Sequence, residues 1–192
     1  MPHGEKITKS GAWALPPGFA YKLDVGLADA IALLAGRNAT LLDVGSGKGL
    51  YVRALRARSI RAYGVEGAMN IRELTGGLIE QRELTQPFQH KCAEYEWVTC
   101  LEVAEHIAWD YQNTLLANLN CSVHATHGGL VLSWAPPGQF GTGHVNMRRE
   151  SEVIRWLTRA YSCATASGEC PPAQRRRAPL LRGENKADAD TH

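Results

Sequence analysis

Asp43, Gly45, Gly47 and Gly49 alternate through the stretch LLDVGSGKG, and Glu66 follows 23 residues after Asp43. Glycines at this density remove Cβ atoms where a ligand must lie against the backbone, and an acid at this distance can bind a vicinal diol. Three ligand classes use such turns. A phosphate-gripping loop needs Gly-x-x-x-x-Gly-Lys-Ser/Thr, but Leu42 holds the first glycine position and Gly49 follows Lys48. The dinucleotide fingerprint Gly-x-Gly-x-x-Gly requires glycine where Leu50 stands. Two further groups carry reactive side chains. Glu102, Glu105 and His106 have i, i+3, i+4 spacing and would share one face of a helix beginning at Glu102. His144 and Asn146 lie in the glycine-containing loop PPGQFGTGHVNMR, where His144 is either a base over a pocket mouth or a loop-packing residue.

The elements that must position these groups can be read from periodicity. Leu27, Ile31 and Leu34 recur at helical spacing, with Gly36 as C-cap. ATLLDVGSG is a buried strand running into the glycine turn, and GLYVRALRARSI is a helix with Val52, Leu55 and Ser59 inward. RAYGVEG is a second strand, GGLIEQREL a third and YEWVTCLEV a fourth. AEHI and DYQNTLLANLNCSVHAT supply helix, and GGLVLSWAPPG is a fifth strand stopped by two prolines. Strands alternating with helices predict a Rossmann-like α/β fold, a parallel sheet with helices on both faces.

Taken in order, LLDVGSGKG, GVEG, YEWVTCLEVAEHI and GGLVLSWAPPGQ resemble the class I S-adenosylmethionine-dependent methyltransferases of the seven-strand type, from about Tyr21 to Leu157. The resemblance implies S-adenosylmethionine as cofactor. It would lie against Gly45, Gly47 and Gly49, with Asp43 orienting the turn or reaching the ammonium group through water, and Glu66 accepting from the ribose hydroxyls. RELTQP resembles the acid-Leu pair that faces adenine, making Glu83 the amino-group acceptor and Leu84 its apolar neighbour. Ser46, Gly67 and Leu101 complete the implied cofactor set. Methyl transfer is an in-line displacement, so catalytic groups belong beyond strands four and five, which points to Glu102 and His144.

E-x-x-E-H runs similar to Glu102, Glu105 and His106 bind a divalent ion in ubiquinone-pathway O-methyltransferases and small-RNA terminal 2′-O-methyltransferases. Magnesium, manganese or zinc would suit oxygen ligands plus one nitrogen. The alternative is that His106 caps or packs a helix. His124 and His127, near Cys121, sit in a loop entrance rather than a metal site.

Composition sets the remaining limits. At 192 residues, 44% hydrophobic and 21% charged, the chain suits one globular domain. The expected organisation is an arm over 1–20, the methyltransferase domain over 21–160 and a disordered tail over 161–192. Residues 171–192 hold five Lys or Arg against three acids, which accounts for the whole net charge of +2. The neutral remainder argues against a surface that coats nucleic acid, and Arg175, Arg176 and Arg177 read as a solvated run. An odd five cysteines without a CxxC pair suggest reduced thiols and a cytoplasmic setting. No apolar stretch is long enough to span a membrane. The antiparallel strands that close a full member are not legible after ESEVIRWLTRAY. Self-association through the sheet edge is therefore expected, and a catalytically silent protein that binds cofactor or a partner is the alternative to a working enzyme on a small or medium acceptor.

Overall fold

The structure, a computed structural model, describes residues 21–88, 94–124 and 127–166, with side chains through residue 158. The expected arm, the tail beyond 166 and the Arg175–Arg177 run lie outside them. Elements follow in the order α1 (Val25–Ala35), β1 (Thr40–Val44), α2 (Leu50–Ala57), β2 (Arg61–Glu66), α3 (Ile71–Leu74), β3 (Glu80–Gln81), β4 (Trp97–Cys100), α4 (Gln112–Ser122), β5 (Gly129–Leu132) and α5 (Glu150–Ala166). Short 3-10 turns at Ala104–His106 and Trp109–Tyr111 lie between β4 and α4.

The sheet is parallel throughout, in the order β3-β2-β1-β4-β5. Both faces are covered, so consecutive strand residues are buried on opposite sides. Leu41 packs with Ile31, Val52, Leu55 and Ile79, whereas Leu42 packs with Val98, Leu115, Leu119 and Leu130. This is why the strands read as apolar runs rather than as alternation. Helix α1 starts where the Asp24 carboxylate caps the Leu27 amide at 2.9 Å and ends at Gly36, with φ +81°.

Several boundaries differ from expectation. Ser59 lies past α2 with φ +64°, so it terminates the helix instead of lining its inner side. The third strand shrinks to two residues because Gly76 and Gly77, at φ +60° and +81°, turn the chain until Ile79. Strand β4 ends at Cys100, and Glu102 takes a left-handed φ of +56°, so no helix begins there. Helix α5 continues to Ala166, past the expected domain end at 160. Val153 on α5 is buried and Trp156 packs edge-on against Trp109 and Trp134, whereas Ile154 is exposed. Cys100 is a buried free thiol, but Cys121 is disulfide-bonded, where reduced thiols throughout were expected. Among the described residues no helix is long and apolar enough to cross a membrane.

Candidate functional site at the switch point of the sheet

In an open parallel sheet the ligand crevice opens beyond the strand C-termini where connections diverge to opposite sides. Here that point lies between β1, which continues to β2 on one side, and β4, which continues to β5 on the other. The glycine turn leaves β1 and residues 101–106 leave β4, so the two reactive stretches flank one crevice.

The turn is pinned to the sheet by the Gly45 and Ser46 amides, which donate to the Val65 carbonyl at 2.9 and 3.1 Å. Gly45 and Gly47 have φ of +77° and +51°, a region costly for other residues. A Cβ at Gly45 would collide with the Val103 side chain, and one at Gly47 would lie 2.9 Å from the Tyr21 ring. The protein's own packing therefore demands both glycines, before any ligand is considered. Tyr21 was invisible as a site residue because it stands at the edge of an apparently loose arm. Burial, reinforced by Glu66, pushes its phenol well up.

The Glu66 carboxylate ties the turn together. It accepts from the Gly47 amide at 2.9 Å and the Ala68 amide at 3.2 Å. Burial raises its pKa, opposed by these amides and that of Gly67. Asp43 is 3% exposed and accepts from the Thr99 hydroxyl at 2.7 Å, across the β1–β4 pair. Burial lifts it to about 7, against the Thr99 bond. Asp43 thus braces the strand ends beneath the turn. Ser46 donates its hydroxyl to the Val65 carbonyl at 3.3 Å, and Leu101 packs against the core. Glu83 accepts from the Thr85 amide and hydroxyl at 3.1 and 2.9 Å, and its charge also bears on Glu66. Leu84 is buried in the core on the opposite sheet face from Leu101.

Beyond β4 the geometry rearranges the expected trio. Glu102 is exposed; its amide donates to the Ser133 Oγ at 2.7 Å, and that hydroxyl donates to Oε1 at 2.8 Å. Glu105 is fully buried, and among the described residues neither carboxylate oxygen has a hydrogen-bond partner. Burial raises its pKa to about 7 and the charge of Glu102 adds to the shift; its own amide and that of Ala135 oppose it without forming aligned hydrogen bonds. The loop after β5 docks here, because the Val145 and Asn146 amides donate to the Glu105 carbonyl at 2.9 and 3.0 Å. His144 is thereby brought edge-on to His106, with ring centroids 4.9 Å apart. Burial pushes His106 down, which favours its neutral form. Glu105, His106 and His144 each place a ligand atom within 4.8 Å of the others, and Glu102 is not among them. His124 and His127 stack at 5.7 Å and join no such group among the described residues.

The family model for a methyltransferase domain matches residues 19–161, well over half of the chain. No curated protein matches. Solved structures share the fold. A putative methyltransferase from Bacillus halodurans is 19% identical, with TM-score 0.57 over 71% of this chain and 68% of that one. The Burkholderia thailandensis 1,6-didemethyltoxoflavin N1-methyltransferase, solved with bound 1,6-didemethyltoxoflavin and S-adenosylhomocysteine, is 18% identical, with TM-score 0.53 over 71% and 66%. A Haloferax volcanii complex of the Trm112 methyltransferase activator with a putative methyltransferase gives 14% identity and TM-score 0.57 over 69% and 66%. The chain spans about two thirds of the length of these solved relatives. With the sheet order, the glycine turn and the family match in agreement, this chain belongs to the methyltransferase-domain family.

Proposed function

We propose that the chain binds S-adenosylmethionine in the β1–β4 crevice and transfers its methyl group to an oxygen or nitrogen of a small or medium acceptor. The observation that carries this reading is the joining of the glycine turn to Glu66 at the switch point. The residues fit the cofactor. A carboxylate offers about four acceptor positions, so Glu66 can hold two backbone amides and still receive the ribose diol. Glu83 stands on the adenine side, close enough to influence Glu66. The glycine turn brings backbone, not side chain, to the cofactor's amino-acid portion. When bound, the sulfonium supplies an activated methyl group. The chain's own task is alignment and exclusion of water. Glu102 and His144, on the loops leaving β4 and β5, face the acceptor side.

A second reading, cofactor binding without turnover, is favoured by one observation: among the described residues the sheet ends at β5, with no further strands to wall an acceptor site. Calorimetric titration with S-adenosylmethionine and S-adenosylhomocysteine tests the binding step, and an acceptor screen tests transfer. Absence of binding to either would sink both readings. Binding without turnover on any acceptor would select the second.

A further inference from the structure

We propose that Asn118, on α4, is a positioning residue for the cofactor's base: it fixes the segment that carries Glu83 and so sets the selectivity for adenine. This rests on the cofactor reading, in which Glu83 accepts from the adenine amino group. The sheet stops holding the chain just before Glu83. Strand β3 pairs with β2 only through Glu80 and Gln81, and the Arg82 amide makes one more bond, to the Glu66 carbonyl at 2.8 Å. Beyond it the Gln86 amide turns back to the Glu83 carbonyl at 3.3 Å.

Asn118 takes over from the ladder. Its Nδ2 donates to the Leu84 carbonyl at 3.0 Å and to the Gln86 carbonyl at 2.8 Å, and its Oδ1 accepts from the Phe88 amide at 2.9 Å. A carbonyl only accepts and an amide N–H only donates, so the three partners together fix which way the carboxamide points. The residue type is otherwise out of place. Asn118 is 3% exposed, on the helix face that buries Leu115 and Leu119 in the core. Asparagine favours helix interiors less than leucine or alanine, and a buried amide without partners is costly.

The contact reaches Glu83 through Thr85. Thr85 is buried, and the carbonyls on either side of it, of Leu84 and Gln86, are the two that Asn118 holds. The Thr85 amide and hydroxyl both donate to Glu83 Oε1, at 3.1 and 2.9 Å, which sets the direction of Oε2. Hydrogen bonds weaken steeply when stretched or bent, so a shift of this segment reaches the bond to the base first. The glycine turn and Glu66 are held by other bonds, so the rest of the cofactor should feel such a shift far less.

The test is a ratio of affinities, measured by calorimetry on the full chain. The two ligands are S-adenosylhomocysteine and its analogue with hydrogen in place of the 6-amino group. Wild type should prefer the adenine ligand by about 10- to 150-fold, the span of one hydrogen bond to a charged group. Asn118→Asp keeps the shape and the acceptor for Phe88 but turns an oxygen toward the two carbonyls; Asn118→Ser removes the fork without adding charge. Each should bring the ratio toward one while the analogue's affinity changes little. In a Glu83→Ala background neither should alter the ratio further. Circular dichroism accompanies each variant. Should both unfold, Thr85→Val, which keeps the shape and removes the hydroxyl, should lower the same ratio. A purely structural Asn118 would weaken both ligands alike, and an unchanged ratio in a folded variant would overturn the inference. So would a ratio that still falls without Glu83. Equal wild-type affinity for the two ligands would overturn it while leaving cofactor binding standing, whereas no binding of either ligand would remove the cofactor reading itself and this inference with it.

Discussion

Replacing Glu66 with Ala separates binding from folding. In the free protein the carboxylate accepts two backbone amides, from Gly47 and Ala68. Those bonds exist with and without cofactor, so their loss largely cancels in a binding measurement. What does not cancel is the proposed pair of bonds to the ribose diol. Each hydrogen bond to a charged group contributes about 1.5–3 kcal/mol, so affinity for S-adenosylhomocysteine should fall by at least ~10- to 150-fold, the loss of one bond. Stability should change less. Removing the acceptor costs the two amides, but it also removes a carboxylate whose raised pKa shows that its charge is poorly solvated. Glu66→Gln keeps the shape and one acceptor oxygen, and should lie between wild type and Ala. Isothermal titration gives the affinities, and urea unfolding of the same samples gives the stabilities. A dissociation constant unchanged in Glu66→Ala would refute the ribose assignment. A large stability loss with unchanged affinity would make Glu66 a structural clasp only.

Gly47→Val should abolish cofactor binding while leaving the far-ultraviolet circular dichroism intact, because the branched side chain meets the Tyr21 ring and φ +51° is unfavourable for it. Retained affinity would place the ligand elsewhere. Asp43 has a folded pKa near 7 against 3.8 for the unconstrained group, so the folded state holds the extra proton between those values. Its contribution to stability is full below about pH 4 and is lost as pH rises through 7, on the order of 4 kcal/mol for about three pKa units. From urea unfolding at pH 4.5 and 8, wild type should therefore lose stability relative to Asp43→Asn toward high pH; a relative gain would contradict the assignment. Strand β5 pairs with β4 along one side only among the described residues, and an unpaired edge invites association. Sedimentation velocity should show mass rising with concentration, and a monomer at all concentrations would show the edge is covered.

Much of the glycine-turn side of the crevice was legible in the chain itself. Apolar runs such as Leu41-Leu42, helical spacing at Val52 and Leu55, and the alternation from Asp43 to Gly49 report local backbone geometry, which a few neighbouring residues determine. They were enough to specify parallel strands, a glycine turn and an acid at the end of β2. The loops leaving β4 and β5 were not legible in the same way. Spacing alone grouped Glu102 with Glu105 and His106, but Glu102 takes a left-handed backbone angle and turns to Ser133. His144 joins the group from 38 residues away because two amides of its loop find the Glu105 carbonyl. Tyr21 covers Gly47, and Val103 fills the space that Gly45 leaves open. Such contacts depend on how loops from separate strands dock at one end of the sheet. No periodicity records that docking, since the hydrogen bonds that fix it join residues with no regular spacing along the chain.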